Sequence, residues 1–184
     1  MVVVPLERIP PRDSGSGRVH VIVDTPAGSR NKYKYDPELK AFRLGRILPQ
    51  GAVFPHDFGF IPGTRAPDGD PLDVMVLGLA PAFPGCVITA RLLGVIRARQ
   101  VEHRRSIRND RLIAAAETPV NPSTFAKGLR SLSEVQLRAM EHFFESYNSF
   151  QGREFSVTGR GNARAAAAIV AQGIRSFDRK KNQG

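Results

Sequence analysis

The chain has 184 residues, enough for one domain whose core needs no covalent staples. Its single cysteine, Cys86, excludes an intramolecular disulfide framework and a Cys-rich zinc site; its plainest reading is a small core hydrophobe. Lys and Arg number 27 against 17 Asp and Glu, a formal charge of +10 that favours anionic partners such as phosphates or nucleic acid without choosing among them. No stretch approaches the ~20 apolar residues of a membrane helix. The opening Met1-Val2-Val3-Val4-Pro5 is too short and too uncharged for a signal segment, so the expected location is cytoplasmic, with no membrane partner.

Residues 1–17, rich in Pro, Gly and Ser, read as a loose arm, and 18–184 as a single domain. From Val19 the alternation of Val19, Val21 and Val23 with His20, Ile22 and Asp24 predicts a strand, closed by a turn at Pro26-Ala27-Gly28. Asn31 to Tyr35 and Phe42 to Leu48 read as the next two strands. Residues 49–72 are dense in proline and glycine and read as one long irregular segment, a kind of loop that is usually functional. Asp73 to Leu79, Cys86 to Arg99 and Arg111 to Ala116 are the strongest strands. Ser131-Leu132-Ser133-Glu134 has capping-box spacing and opens a helix to about Phe150, with Leu137, Met140, Phe144 and Tyr147 on one face. A short strand over Glu154 to Thr158 and an Ala-rich helix from about Asn162 to Phe177 follow. Strands first and helices last predict an α+β, mainly β fold: a closed or partly closed barrel flanked by two C-terminal helices.

Pro67-Asp68-Gly69-Asp70-Pro71-Leu72-Asp73 carries the chemistry. Two carboxylates ~5 Å apart repel by roughly 3 kcal/mol at an effective dielectric of ~20, so three converging acids need an offset. A hard divalent cation with oxygen ligands, such as Mg²⁺ or Ca²⁺, is the usual one, and a carboxylate beside it can orient or deprotonate a water. Taken alone, Pro-Asp-Gly-Asp is also an ordinary turn in which Asp68 bonds its own backbone. It lacks the spacing and terminal Glu of an EF-hand.

Four segments, in order and at matching spacing from about residue 18 to 177, resemble the soluble inorganic pyrophosphatases. They are Asp24 to Asp36; Arg46 with Val53 to Pro62; Asp68-Gly69-Asp70-Pro71-Leu72-Asp73-Val74; and Glu141 to Tyr147. The resemblance implies a five-stranded OB-like closed barrel, a Mg²⁺-dependent site that cleaves pyrophosphate or a related phosphoanhydride, and a homo-oligomer, often a hexamer. Position by position, it implies metal binding at Asp68 and Asp73, and at Asp70 the aspartate that guides or deprotonates the attacking water. It implies phosphate binding at Lys32, Arg46 and Tyr147, and at Arg111, which stands where the family has a lysine.

This chain departs from that pattern in several places. Lys34 and Asp24 stand where the family has metal-binding glutamates, Phe54 and Phe58 replace tyrosines, and Asn148 replaces a phosphate-binding lysine. Gln100 and Asn109 replace metal-binding aspartates, and Asp110 is one residue out of register, so that only a bulge would bring it into place. The family's acidic loop corresponds here to a run with Arg97, Arg99, Arg104, Arg105, Arg108 and Arg111, an expected cationic rim. Three readings follow. One is a Mg²⁺-dependent phosphoanhydride hydrolase in which Lys34 and the arginines supply part of the positive charge that metals supply in relatives. Another is an impaired module binding phosphate-bearing ligands or nucleic acid, the latter weakened by the absence of Trp. The last is an oligomeric partner of an active pyrophosphatase.

Overall fold

The computed structural model describes residues 6–78, 80–102, 105–116 and 125–182. In chain order they form β1 (Val19–Thr25), β2 (Asn31–Asp36), β3 (Ala41–Ile47), β4 (Asp57–Ile61), β5 (Leu72–Leu77), β6 (Val87–Glu102), β7 (Arg105–Arg108), β8 (Arg111–Ala116), α1 (Glu134–Ser149), β9 (Glu154–Asn162) and α2 (Ala163–Lys181). Strands β1, β4, β5, β8 and β6 pair in that order, and β6 returns to β1, so five strands close a ring. Every pairing in the ring is antiparallel except β5 with β8. Closure leaves no unpaired edge between the first and last strands. The predicted mainly-β barrel with two C-terminal helices is the fold observed.

Both faces of the ring are covered, which is why the strands read as continuous apolar runs. One alternate set of side chains, including Met75, Leu77, Ile113 and Ile96, packs with Leu137, Met140 and Phe144 of α1. The other set, including Val74, Val76, Leu112 and Val95, packs with Ala166 and Val170 of α2. Asn162 caps α2 by accepting from Ala165 N at 3.0 Å. Arg160 of β9 fastens α1 to the barrel, its guanidinium donating to Glu141 at 2.6 and 2.9 Å and to Glu134 at 2.7 and 2.9 Å. No helix among the described residues is long and apolar enough to cross a membrane.

Several sequence expectations need correction. The irregular segment 49–72 contains β4, hidden from pattern reading by Gly59 and by the prolines on either side. Gly59 is required there because a Cβ would lie 2.1 Å from the Ile22 carbonyl oxygen of β1. The capping box of α1 is Ser133 with Gln136, not Ser131 with Glu134: Ser133 Oγ accepts from Gln136 N, and Gln136 Oε1 accepts from Ser133 N. Tyr147 packs against the same cluster as Leu137, Met140 and Phe144, as expected, and Asn148 joins the buried face of α1. Cys86 is half-buried rather than in the core. The reading of a strand reaching Leu79 ends beyond the described residues, and Arg104 lies outside them as well.

Candidate active site

The two-stranded ribbon β2–β3 stands apart from the barrel sheet. Lys32 and Arg46 are cross-strand partners in it, and period-2 alternation puts Lys34 on the same face as Lys32. Like charges facing each other across a ribbon are unfavourable by themselves. The barrel supplies the opposite sign. Residues 65–71 turn sharply into β5, with Gly69 at φ +96°, where a side chain would be strained, and with Ala66 N donating to Asp70 O at 2.7 Å. Asp68 Oδ1 accepts from Asp70 N at 3.2 Å, so the Asx turn foreseen for this segment is present.

These elements enclose a cleft of about 700 Å³ lined by all seven residues singled out from the sequence: Lys32, Arg46, Asp68, Asp70, Asp73, Arg111 and Tyr147. Its acidic residues are Asp24, Asp68, Asp70 and Asp73, and its cations are Lys32, Lys34, Arg46, Arg111 and Arg153. Three of the four acids have a cation of their own. Lys32 Nζ donates to both Asp24 oxygens, at 2.6 and 2.7 Å, in a largely buried pair. It lies 4.4 Å from the Phe58 ring centroid, a cation–π contact. An ammonium has three N–H donors, so one is left for a ligand. Burial pushes the Asp24 carboxyl above its usual pKa, and Lys32 pulls the other way. Lys34 Nζ reaches Asp70 at 3.2 Å with both side chains about two-thirds exposed, so that pair exchanges freely with water or an incoming anion. Arg111, 7% exposed, is ion-paired to Asp73 and donates to Asn109 Oδ1 at 2.6 Å.

Asn109 Nδ2 in turn donates to Gln100 Oε1 at 2.8 Å, both residues being buried. The Arg111 guanidinium lies between Phe144 and Phe155, 5.7 and 5.5 Å from their ring centroids. Its Nε is buried with no hydrogen-bond partner among the described residues. Arg46 makes no side-chain hydrogen bond or ion pair among the described residues, so its fork is available to phosphate oxygens. Tyr147 stacks on Phe143 at 5.9 Å and meets Phe54 edge-on at 5.4 Å while still lining the cleft, so packing and ligand contact are compatible roles.

The donor set fits a divalent ion on one wall only. Asp68 is exposed at the rim, yet surrounding protein desolvates its carboxyl and raises its pKa, and Asp73 and Asp70 raise it further by repulsion. A cation would relieve that crowding, and Mg²⁺ is commonly held by one or two carboxylates completed by water and substrate phosphate. Among the described residues no three acidic, histidine or cysteine side chains could enclose an ion by themselves. On the facing wall Lys34, Gln100 and Asn109 offer a cation and two amides that are poor Mg²⁺ ligands.

Three further expectations resolve here. Asp110 does not line the cleft; it accepts from Ala98 N at 3.2 Å and Arg108 Nε at 2.7 Å and lines a different cavity. The described arginines of the run do not form a cationic rim, since among them only Arg111 lines the cleft. Arg97 and Arg99 are exposed on the face of β6 opposite the buried Ala98 and Gln100. Asn148 is buried and donates to Phe144 O at 2.8 Å. Arg153 was not foreseen, because nothing in the turn after α1 marks it as a cleft residue.

A family model described as inorganic pyrophosphatase matches residues 21–178. The inorganic pyrophosphatase of Synechocystis sp. is 34% identical over 172 residues, covering 94% of this chain and 98% of that protein. The Thermus thermophilus enzyme is 34% identical over 168 residues, covering 90% and 93%. Among solved structures, the inorganic pyrophosphatase of Thermus thermophilus superposes with a TM-score of 0.85 at 32% identity, over 95% of this chain and 99% of that one. That of Neisseria gonorrhoeae gives 0.83 at 27% identity, over 94% and 98%.

Proposed function

The chain belongs to the inorganic pyrophosphatase family, and from that premise we propose that this cleft hydrolyses pyrophosphate to two phosphates with Mg²⁺, within one domain spanning 18–184. The observation that carries the reading is the meeting, in one cleft, of the 68–73 acids with the Lys32–Arg46 ribbon and Arg111. Arg46 grips the pyrophosphate with paired N–H donors, and Lys32, already anchored by Asp24, gives its remaining N–H. Arg111, which lines the cleft, adds fixed positive charge, and the Tyr147 hydroxyl a further contact. Lys34 leaves Asp70 for a phosphate oxygen, so that substrate itself frees the base. Asp70 takes a proton from the water whose oxygen attacks one phosphorus; the bridging P–O bond breaks and the second phosphate leaves with that electron pair. A positioned general base of this kind contributes roughly 10²–10⁴ in rate.

Asp68 and Asp73 are the residues that would hold Mg²⁺, whose chemistry is Lewis acidity toward the phosphoryl oxygens and the water. Asp73 would do so while staying paired to Arg111. The reading places the enzyme in the cytoplasm, as a homo-oligomer. The binding-module alternative is not favoured, because the relatives that match over nearly the whole chain are pyrophosphatases. Phosphate release from pyrophosphate by the purified chain tests the proposal. Release is expected with Mg²⁺ and none when Mg²⁺ is chelated; a rate at the buffer blank with micromolar protein in Mg²⁺ would refute it.

A further inference from the structure

A second cavity, of about 360 Å³, lies beneath α2 and shares the 65–72 segment with the active cleft. Three arginines from separate elements line it: Arg65 from the aspartate segment, Arg108 from β7 and Arg179 from the last turns of α2. Its one acid, Asp110, is already neutralised by Arg108. Arg65 has no side-chain partner among the described residues, and Arg179 touches only Ser176 Oγ, at 3.3 Å. Gln172, Ser176 and Arg179 recur at i, i+4 and i+7, so α2 presents two neutral donors and a cation to the same space. Leu72 and Ile169 provide an apolar floor.

We propose that this cavity is a second site for a phosphoryl dianion, either inorganic phosphate or the phosphate group of a monoester, held between Arg65 and Arg179. Two guanidinium groups without carboxylate partners among the described residues leave their forks open to an anion, and those planar forks match phosphate oxygens. The site is tied to the catalytic turn by Arg65 itself. Its backbone N–H donates to Gly173 O of α2 at 3.0 Å, while its guanidinium lies against Gly69, between Asp68 and Asp70; a Cβ on Gly69 would stand 3.3 Å from Arg65 Nη2. Drawing Arg65 onto an anion removes that support from the aspartate turn. The effect on turnover rests on the pyrophosphatase reading, whereas the binding does not.

Isothermal titration of the full chain with inorganic phosphate, without Mg²⁺ and at constant ionic strength, is expected to resolve two sites. The Arg65→Gln/Arg179→Gln variant should keep one of them and Arg46→Ala the other. A nucleoside monophosphate titrated in parallel separates the sources: binding lost in the double variant assigns the cavity to esters as well, and binding of inorganic phosphate alone assigns it to the product of the reaction. A single site in the parent chain, or two sites surviving in the double variant, overturns the proposal. In turnover, added phosphate should lower kcat severalfold in the parent and only raise apparent KM in the double variant. A chain that releases no phosphate from pyrophosphate removes the turnover readout but leaves the stoichiometry as a test of the cavity.

Discussion

The two walls of the active cleft are made by different physics. The aspartate wall is a tight turn whose acids sit at the rim, one of them, Asp68, without an ion-pair partner among the described residues and with its pKa raised by desolvation and crowding. The facing wall combines the ribbon cations Lys34 and Arg46 with a largely buried chain in which Gln100, Asn109, Arg111 and Asp73 bond one another in series. An acid left without a cation is a place for an ion to enter. A chain of satisfied amides around an arginine is a place where positive charge is already built in. The proposed gathering of Mg²⁺ and pyrophosphate in one cleft rests on that difference.

The sharpest way to break this contrast is to remove the base. Asp70→Asn should lower kcat by about 10²–10⁴ while leaving the thermal midpoint unchanged, since the side chain is exposed; steady-state phosphate release with a melting curve checks both. Next in size is Arg111→Ala, which strips Asp73 of its partner and empties the space between Phe144 and Phe155. The expected loss is about 3 kcal/mol in a denaturant titration, the magnitude for breaking a largely buried pair. If stability were untouched, the second wall would not be the interlocked structure described.

Lys34→Ala should raise KM for pyrophosphate severalfold with no measurable change in stability, because an exposed ion pair contributes only ~0–1 kcal/mol. An unchanged KM would remove Lys34 from the substrate-binding set. The smallest effect lies outside the cleft, in the clamp that holds α1 to β9. Hydrogen bonds from Arg160, then from Arg138, lower the Glu134 pKa from its ordinary 4.5 to about 2. An acid depressed in the folded state stabilises fully above its unfolded pKa and loses that contribution as pH falls. Thermal midpoints should thus drop between about pH 4.5 and pH 2, and Arg160→Ala should flatten that limb.

Much of the site was legible because its signals are short in sequence. The aspartate turn announces itself through Pro67, Gly69 and Pro71, and the ribbon cations through period-2 spacing around Lys32. What was hidden depends on which strands meet. Gly59 reads as a breaker until β1 is seen lying against it. The arginines of β6 read as a rim because a loop has no faces, whereas a strand sends Arg97 and Arg99 away from Gln100. Arg153, and the cavity shared by Arg65 and Arg179, join residues from elements far apart in the chain, and no local pattern marks them.

The division of labour between the walls is most directly tested by titrating methylene diphosphonate, which cannot be hydrolysed, with and without Mg²⁺. The Arg65→Gln/Arg179→Gln background restricts the measurement to the cleft. Binding is expected without the ion and should tighten when it is added. Adding Arg46→Ala and Lys34→Ala should abolish the metal-free binding, and adding Asp68→Asn should abolish only the gain from Mg²⁺. If either set of substitutions removed both components together, the two walls would not act separately and the account would fail.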